Sequence, residues 1–122
     1  MTAATWVSLV IVSRGRAAAL RRLLSSLEFQ THPTFEVVIV SDQPDLSGYP
    51  FCERVRHQHF DTPNISAARN IGVSMARCDL VAFCDDDAVP DPWWLERLIG
   101  VFADPEVGAA GVRGNPITGL PW

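Results

Sequence analysis

Two apolar runs, WVSLVIVS (6–13) and FEVVIVS (35–41), contain almost no alternation of polar and apolar residues. A strand wetted on one face alternates, so an unbroken β-branched run predicts a strand covered on both faces, the pattern of parallel sheets. Between the runs lies LRRLLSSL (20–27), where Leu20, Leu23, Leu24 and Leu27 recur at i, i+3, i+4 and i+7. That spacing draws one apolar stripe along a helix, with Arg21, Arg22 and Ser25 turned away. A strand, a helix and a second buried strand make a right-handed crossover unit, which commits the chain to an α/β architecture.

The same alternation continues. DQPDLSGYP (42–50) is turn chemistry throughout, and RVRHQHF (54–60) alternates weakly, as a short strand near an edge would. ISAARNIGVSMA (65–76) predicts a helix with Ala68, Ile71, Gly72 and Met75 on one stripe, capped by Asn64 or Ser66. LVAFC (80–84) is the next strand. Asp91 and Pro92 read as an N-cap followed by proline at the first helical position, before a stripe of Leu95, Leu98, Ile99 and Phe102. VGAAGV (107–112) is expected as a last strand, and 113–122 shows no periodicity. The expectation is a single domain over 1–122, built as a three-layer, Rossmann-like fold on a mostly parallel sheet.

Charge and cysteine usage narrow the function classes. A net charge of −4 and a pI near 5.2 argue against general nucleic-acid or anionic-membrane binding. All ten basic residues are arginine, so any mechanism that needs a lysine is excluded. Cys52, Cys78 and Cys84 have no metal-ligand spacing, and Cys84 lies in an apolar run, where a buried, inert thiol is expected. An odd cysteine count with no signal peptide suggests a reducing, cytoplasmic setting. WVSLVIV is too short to span a bilayer, so no transmembrane segment is expected.

In open parallel sheets, ligands bind beyond the carboxyl ends of the strands. Ser13-Arg14-Gly15 follows the first strand, Asp42 the second, and Asp85, Asp86 and Asp87 the fourth. If those strands are neighbours, all three features line one crevice. Three adjacent carboxylates behind a buried strand repel one another and lose hydration, so they call for a cation. Mg²⁺ or Mn²⁺ suits them, since such ions are held by one or two protein carboxylates plus substrate phosphates. The bland alternative is a solvated turn whose aspartates cap local N–H groups. Asp42 could likewise be a turn cap and Arg69 a solvated helix residue, although its helix should open toward the same crevice. His57 and His59 are expected at the surface, and one of Trp93 and Trp94 in the core. No Gly-x-Ser-x-Gly, His-Glu-x-x-His or Gly-x-Gly-x-x-Gly pattern occurs.

Taken together, these blocks resemble the inverting nucleotide-sugar transferases of glycosyltransferase family 2, which have the GT-A fold. VSLVIVSRGR is similar to the family's opening strand VSVVIPTYNR, and FEVVIVSDQPD to EIIVVDDGSTD. NISAARNIGVSMARCDLVAFCDDDAVPDPWWLERL resembles the run from N-x-G-x-x-x-A-R-N-x-G through the D-x-D motif to a P-x-x-L helix. Gln30-Thr31 matches a Q-T pair after the first helix. The likeness covers residues 6 to 112, and four blocks in this order and spacing say far more than D-x-D alone.

The resemblance implies a role for each matching residue. Asp42 corresponds to the acid that binds the nucleotide base, normally uracil, and Arg69 to the arginine of A-R-N near the base and phosphates. Asp85 and Asp87 are the outer acids of D-x-D, with Asp86 between them. The motif contacts ribose and holds a divalent metal on the diphosphate, with Asp87 the foremost ligand. Arg14 stands where the family usually has an aromatic residue, and a guanidinium can also stack on a base. Ser13 ends the same strand. Ser41 replaces the first acid of the family's pair. The implied partner is a nucleotide-diphosphate sugar, UDP-sugar first, with transfer to an unknown acceptor.

No residue in 113–122 matches the family's catalytic base. The chain is therefore expected to be a donor-binding part lacking the acceptor half, inactive alone and prone to form a homo-oligomer, with any membrane association carried by the missing parts. Two other classes compete. A phospho-receiver and a P-loop nucleotidase both need a lysine that this chain lacks. A non-catalytic nucleotide-binding or assembly module on the same scaffold stays open.

Overall fold

Residues 5–101 are described by a computed structural model. Both apolar runs are strands. β1 (Val7–Ser13) and β2 (Phe35–Ser41) pair in parallel, from Val7 opposite Phe35 to Ser13 opposite Ser41. The leucine stripe forms α1 (Ala17–Leu27), whose Leu20, Leu23, Leu24 and Leu27 are fully buried. Each such leucine contributes roughly 1.5–3 kcal/mol of transfer free energy. β3 (Val55–His59) adds in parallel to β2 as a half-exposed edge strand. After α2 (Ile65–Met75), β4 (Leu80–Asp85) pairs in parallel with β1, giving the order β3-β2-β1-β4. α3 (Trp94–Val101) closes the described chain.

The pleat turns successive side chains to opposite faces, and both faces of the central strands are covered. On one face Leu9, Ile11, Val37, Ile39, Ala82 and Cys84 share a core with the α1 leucines and with Leu95 and Leu98 of α3. On the other, α2 lies across β1 and β2 so closely that a Cβ on Gly72 would sit 2.4 Å from Val10 Cγ1. Glycine is what allows that helix to approach the sheet. Two helical layers around one sheet are the expected three-layer α/β arrangement.

The starts of α2 and α3 follow capping chemistry, with one shift, while α1 has no side-chain cap. Asn64 is the cap of α2, its Oδ1 accepting the Ala67 N–H at 3.0 Å, and Ser66 is not. Asp91 does accept a backbone N–H, from Trp93 at 2.9 Å, but Pro92 and Trp93 form a turn and the helix begins two residues later than expected. Trp94 packs against the core while Trp93 stays exposed. Gln30 and Thr31 tie the exit of α1 to the entry of α3. The Gln30 side chain donates to the Asp91 carbonyl at 2.6 Å and accepts the Leu95 N–H at 3.1 Å, while the Thr31 N–H donates to the Pro92 carbonyl at 2.8 Å. Phe102 and the strand expected at 107–112 lie outside the described residues.

At the amino end of the sheet, Glu36 gathers the chain around a half-buried carboxylate. Arg56 donates to its Oε1 through Nε and Nη2 at 3.2 and 2.7 Å, the Arg77 N–H donates to Oε2 at 2.7 Å, and the Ser8 hydroxyl donates to the same oxygen. Burial opposes ionisation here, but the Ser8, Arg77 and Arg56 donors outweigh it and hold the carboxyl below its usual range. The network pins the turn between α2 and β4. No helix of the described residues is long and apolar enough to cross a membrane.

Candidate functional site

Because all four strands are parallel, the ends of β1, β2 and β4 fall on one sheet edge, with Val12 paired to Asp85 and Ser13 to Ser41. A crevice of about 360 Å³ opens there. Val12 and Val40 form its apolar floor. Ser13, Arg14 and Arg16 bound it from the end of β1 and the turn after it, Phe60, Thr62, Pro63 and Asn64 from the β3–α2 connection, and Asp85 and Asp86 from the end of β4.

Each acid has its own surroundings. Asp86 is buried, its Oδ2 accepting the Ser13 hydroxyl at 3.0 Å. Arg16 Nη1 reaches Asp86 Oδ1 at 3.5 Å and Asp87 Oδ2 at 3.4 Å. Burial raises the pKa of Asp85, and the charges of Asp87 and Asp86 raise it further, while Arg69 and Arg16 pull the other way. Burial also lifts Asp86, partly offset by the Ser13 hydrogen bond and Arg16. Beneath them, burial pushes the Cys84 thiol up to about 12, with the three aspartates adding to the effect. Cys84 is thus the inert core thiol expected of it. At the carboxyl edge of the sheet, burial thus disfavours the ionised form of Asp85 and Asp86 despite Arg16, Arg69 and Ser13 nearby.

The remaining expected residues occupy distinct places. Asp42 stands at the end of β2, on the same edge, but its carboxylate turns to the backbone of the neighbouring loop. Its Oδ2 accepts the Gly15 N–H at 3.0 Å and its Oδ1 the Gln43 amide at 3.4 Å. It does not line the crevice itself. Gly15 has φ +71°, the left-handed region that glycine favours, which lets this turn present its N–H to Asp42. Arg14 is on the crevice wall and pairs with Asp61 at 3.2 Å. Arg69 lies next door, lining a small cavity with Asp85, Ile65 and Phe83. Asp87 follows the crevice-lining pair on the same turn.

Three contributors were not legible one residue at a time. Arg16 follows the first strand by three residues, and only the parallel pairing of β1 with β4 brings it to the acids. Asp61 becomes visible only once β3 is placed beside β2. His57, expected at the surface without a partner, is half-buried, with Nε2 2.7 Å from the Ser41 hydroxyl. Burial lowers its pKa, the His59 charge adds to this, and Ser41 and Asp45 oppose it. Ser41 therefore fills the place of an acid with a hydroxyl that ties β2 to β3.

No three His, Cys, Asp or Glu side chains among the described residues are gathered as a ready-made metal cage. The donor set fits a more open arrangement. Carboxylates whose ionised form is disfavoured by burial and mutual repulsion suit a hard cation that completes its shell with water and phosphate oxygens.

The family model for glycosyl transferase family 2 matches residues 8–119. The chain belongs to that family. Among its relatives is the pre-mycofactocin glycosyltransferase of Mycobacterium tuberculosis, 36% identical over 115 residues, covering 88% of this chain and 23% of the relative. Another is the O-antigen biosynthesis protein RfbC of Myxococcus xanthus, 34% identical over 118 residues, with 88% and 9% covered. The chain thus spans less than a quarter of either family member.

Among solved structures, S. aureus TarS in complex with UDP-GlcNAc superposes with a TM-score of 0.66 at 23% identity, covering 87% of this chain and 36% of that one. The mannosyltransferase PcManGT of Pyrobaculum calidifontis, in complex with GDP-Man and Mn²⁺, gives a TM-score of 0.71 at 22% identity, covering 84% and 33%. These superpositions establish the GT-A fold that the family resemblance implied.

Proposed function

We propose that this domain binds the nucleoside-diphosphate sugar donor of an inverting glycosyl transfer, with a divalent cation between its acidic turn and the diphosphate. One observation carries the reading: the acidic turn, Arg14 and Asp42 meet at one sheet edge, beside a crevice lined by Arg14, Asp85 and Asp86. Two structural neighbours are solved with UDP-GlcNAc and GDP-Man, which supports a nucleotide sugar as the partner.

The proposed roles follow from position. Asp85 and Asp87 hold the cation, and Asp86, fixed by Ser13, orients the turn and faces the ribose. Arg14 offers a planar cation beside the crevice for the base, uracil by first choice. Asp42 keeps the β1–α1 turn in place through Gly15 and supplies the acceptor that a base N–H would meet. Arg69 balances charge beside Asp85. When bound, Mg²⁺ or Mn²⁺ neutralises the charge that develops on the leaving diphosphate. No residue is assigned as the catalytic base, because the D-x-D acids serve the cation and deprotonation of an acceptor needs a free carboxylate within reach. Three unpaired cysteines, one of them buried, support placement in the cytoplasm.

The test is calorimetric titration with UDP-, GDP- and dTDP-sugars, each with Mn²⁺ and with EDTA. The expected result is Mn²⁺-dependent binding of one base class, UDP first. Equal affinity in EDTA overturns the metal, and no binding of any nucleotide sugar overturns the donor site.

A further inference from the structure

Arg16 is a cation that the acidic turn already holds, through Asp86 and Asp87. It stands at the start of α1, after a turn fixed by Gly15 and Asp42, and it lines the crevice beside the acidic turn. One nitrogen, Nη1, serves both Asp86 and Asp87 at 3.5 and 3.4 Å. That is a long, shared contact rather than the parallel two-bond fork of a tight arginine–carboxylate pair. The Arg16 side chain is 57% exposed, so the guanidinium can change partners without unpacking the core. Asp86, by contrast, is buried and anchored to Ser13.

We propose that Arg16 is a built-in counter-ion that changes partners when the site loads. In the free protein it pairs with Asp86 and Asp87; in the loaded site it releases Asp86, yields Asp87 to the divalent cation and donates instead to the donor's diphosphate. The inference rests on the donor-site reading above. Two cations drawn to the Asp87 carboxylate compete, so Arg16 opposes binding of the ion alone. An arginine displaced within the crevice lies where phosphate oxygens bring new acceptors, and charge-assisted bonds to them replace those it lost. Arg16 thereby links ion binding to diphosphate binding: the ion alone meets a competitor, while ion and diphosphate together meet a helper.

This role gives one substitution two effects of opposite sign. Arg16→Gln should tighten Mn²⁺ binding to the nucleotide-free protein by about two- to fivefold, the scale of a lost exposed ion pair. The same variant should weaken UDP binding at saturating Mn²⁺ by roughly tenfold, the scale of lost charge-assisted hydrogen bonds. Arg16→Lys, which keeps the charge, should hold Mn²⁺ affinity near that of the wild type. A merely structural role would shift both affinities the same way and lower the melting temperature as well.

The experiment measures Mn²⁺ affinity by electron paramagnetic resonance of the free ion, UDP affinity by calorimetry, and the melting temperature of each variant. Tighter Mn²⁺ and weaker UDP binding in Arg16→Gln support the exchange. Unchanged or weaker Mn²⁺ binding in that variant, or Mn²⁺ binding by neither protein, overturns the competition. If the wild-type protein binds Mn²⁺ but no UDP, the donor-site reading fails and the diphosphate half of the exchange falls with it. The Mn²⁺ arm then decides the other half separately.

Discussion

The two ends of this sheet treat buried acids in opposite ways. At the amino end, Glu36 has donors from Ser8, Arg56 and Arg77 converging on its two oxygens, and its pKa is lowered. At the carboxyl end, Asp85 and Asp86 have raised pKa values, and the cation shared by Asp86 and Asp87 is the exposed Arg16. An acid whose donors outweigh burial serves the fold. Acids whose ionised form burial and like charges disfavour make folding harder, and the proposed cation would relieve that repulsion.

The largest effect expected from this contrast lies at the amino end. Glu36→Ala should destabilise the protein by roughly 2–3 kcal/mol, because it leaves the Ser8 hydroxyl, the Arg56 guanidinium and the Arg77 N–H without their acceptor. Urea denaturation reads this as a lower midpoint at unchanged slope, and a midpoint like that of the wild type would break the contrast. The second effect is on binding. Asp87→Asn should leave the unfolding free energy from urea denaturation within about 0.5 kcal/mol of the wild type yet remove most of the Mn²⁺-dependent gain in UDP affinity. A loss of stability with binding intact would reverse the assignment of the two ends.

A pH series sharpens the same comparison. The folded pKa of Glu36 lies below its ordinary value of 4.5, so its contribution is complete above that value and disappears as the pH falls through the folded pKa. The advantage of the wild type over Glu36→Gln should therefore be constant near neutrality and shrink in acid. An advantage that grows on acidification would contradict the network. The smallest effect is at Asp85, where burial and two neighbouring charges disfavour the carboxylate. Asp85→Asn should raise the melting temperature at pH 7 by about 2 °C. A clear fall would mean that Asp85 has a favourable role in the free protein.

What could be read from the residues alone follows from the range of the interactions involved. β1, α1 and β2 were legible because apolar runs and stripes are local patterns, and Asn64 was legible as one of two candidate caps because capping spans three residues. The shared edge of Asp42 and Asp85–Asp87 was legible only as a condition, that the strands be neighbours, and the β2-β1-β4 order meets it. Arg16 escaped because its contacts with Asp86 and Asp87 bridge 70 and 71 residues of sequence. Asp42 was placed on the right edge, but nothing in the sequence said that its carboxylate would first serve Gly15. The start of α3 shifted because Asp91 can cap a turn as readily as a helix, and sequence does not distinguish the two.

The central claim, that the carboxyl-end acids stand ready for a cation and a diphosphate together, is tested most directly by thermal melting of the wild-type protein with Mn²⁺, with UDP, and with both. Ligands that bind only the folded state raise stability with their concentration over Kd. The account predicts that the joint shift exceeds the sum of the separate shifts, because each ligand completes the site for the other. Additive shifts, or a UDP shift that is equally large in EDTA, would contradict it.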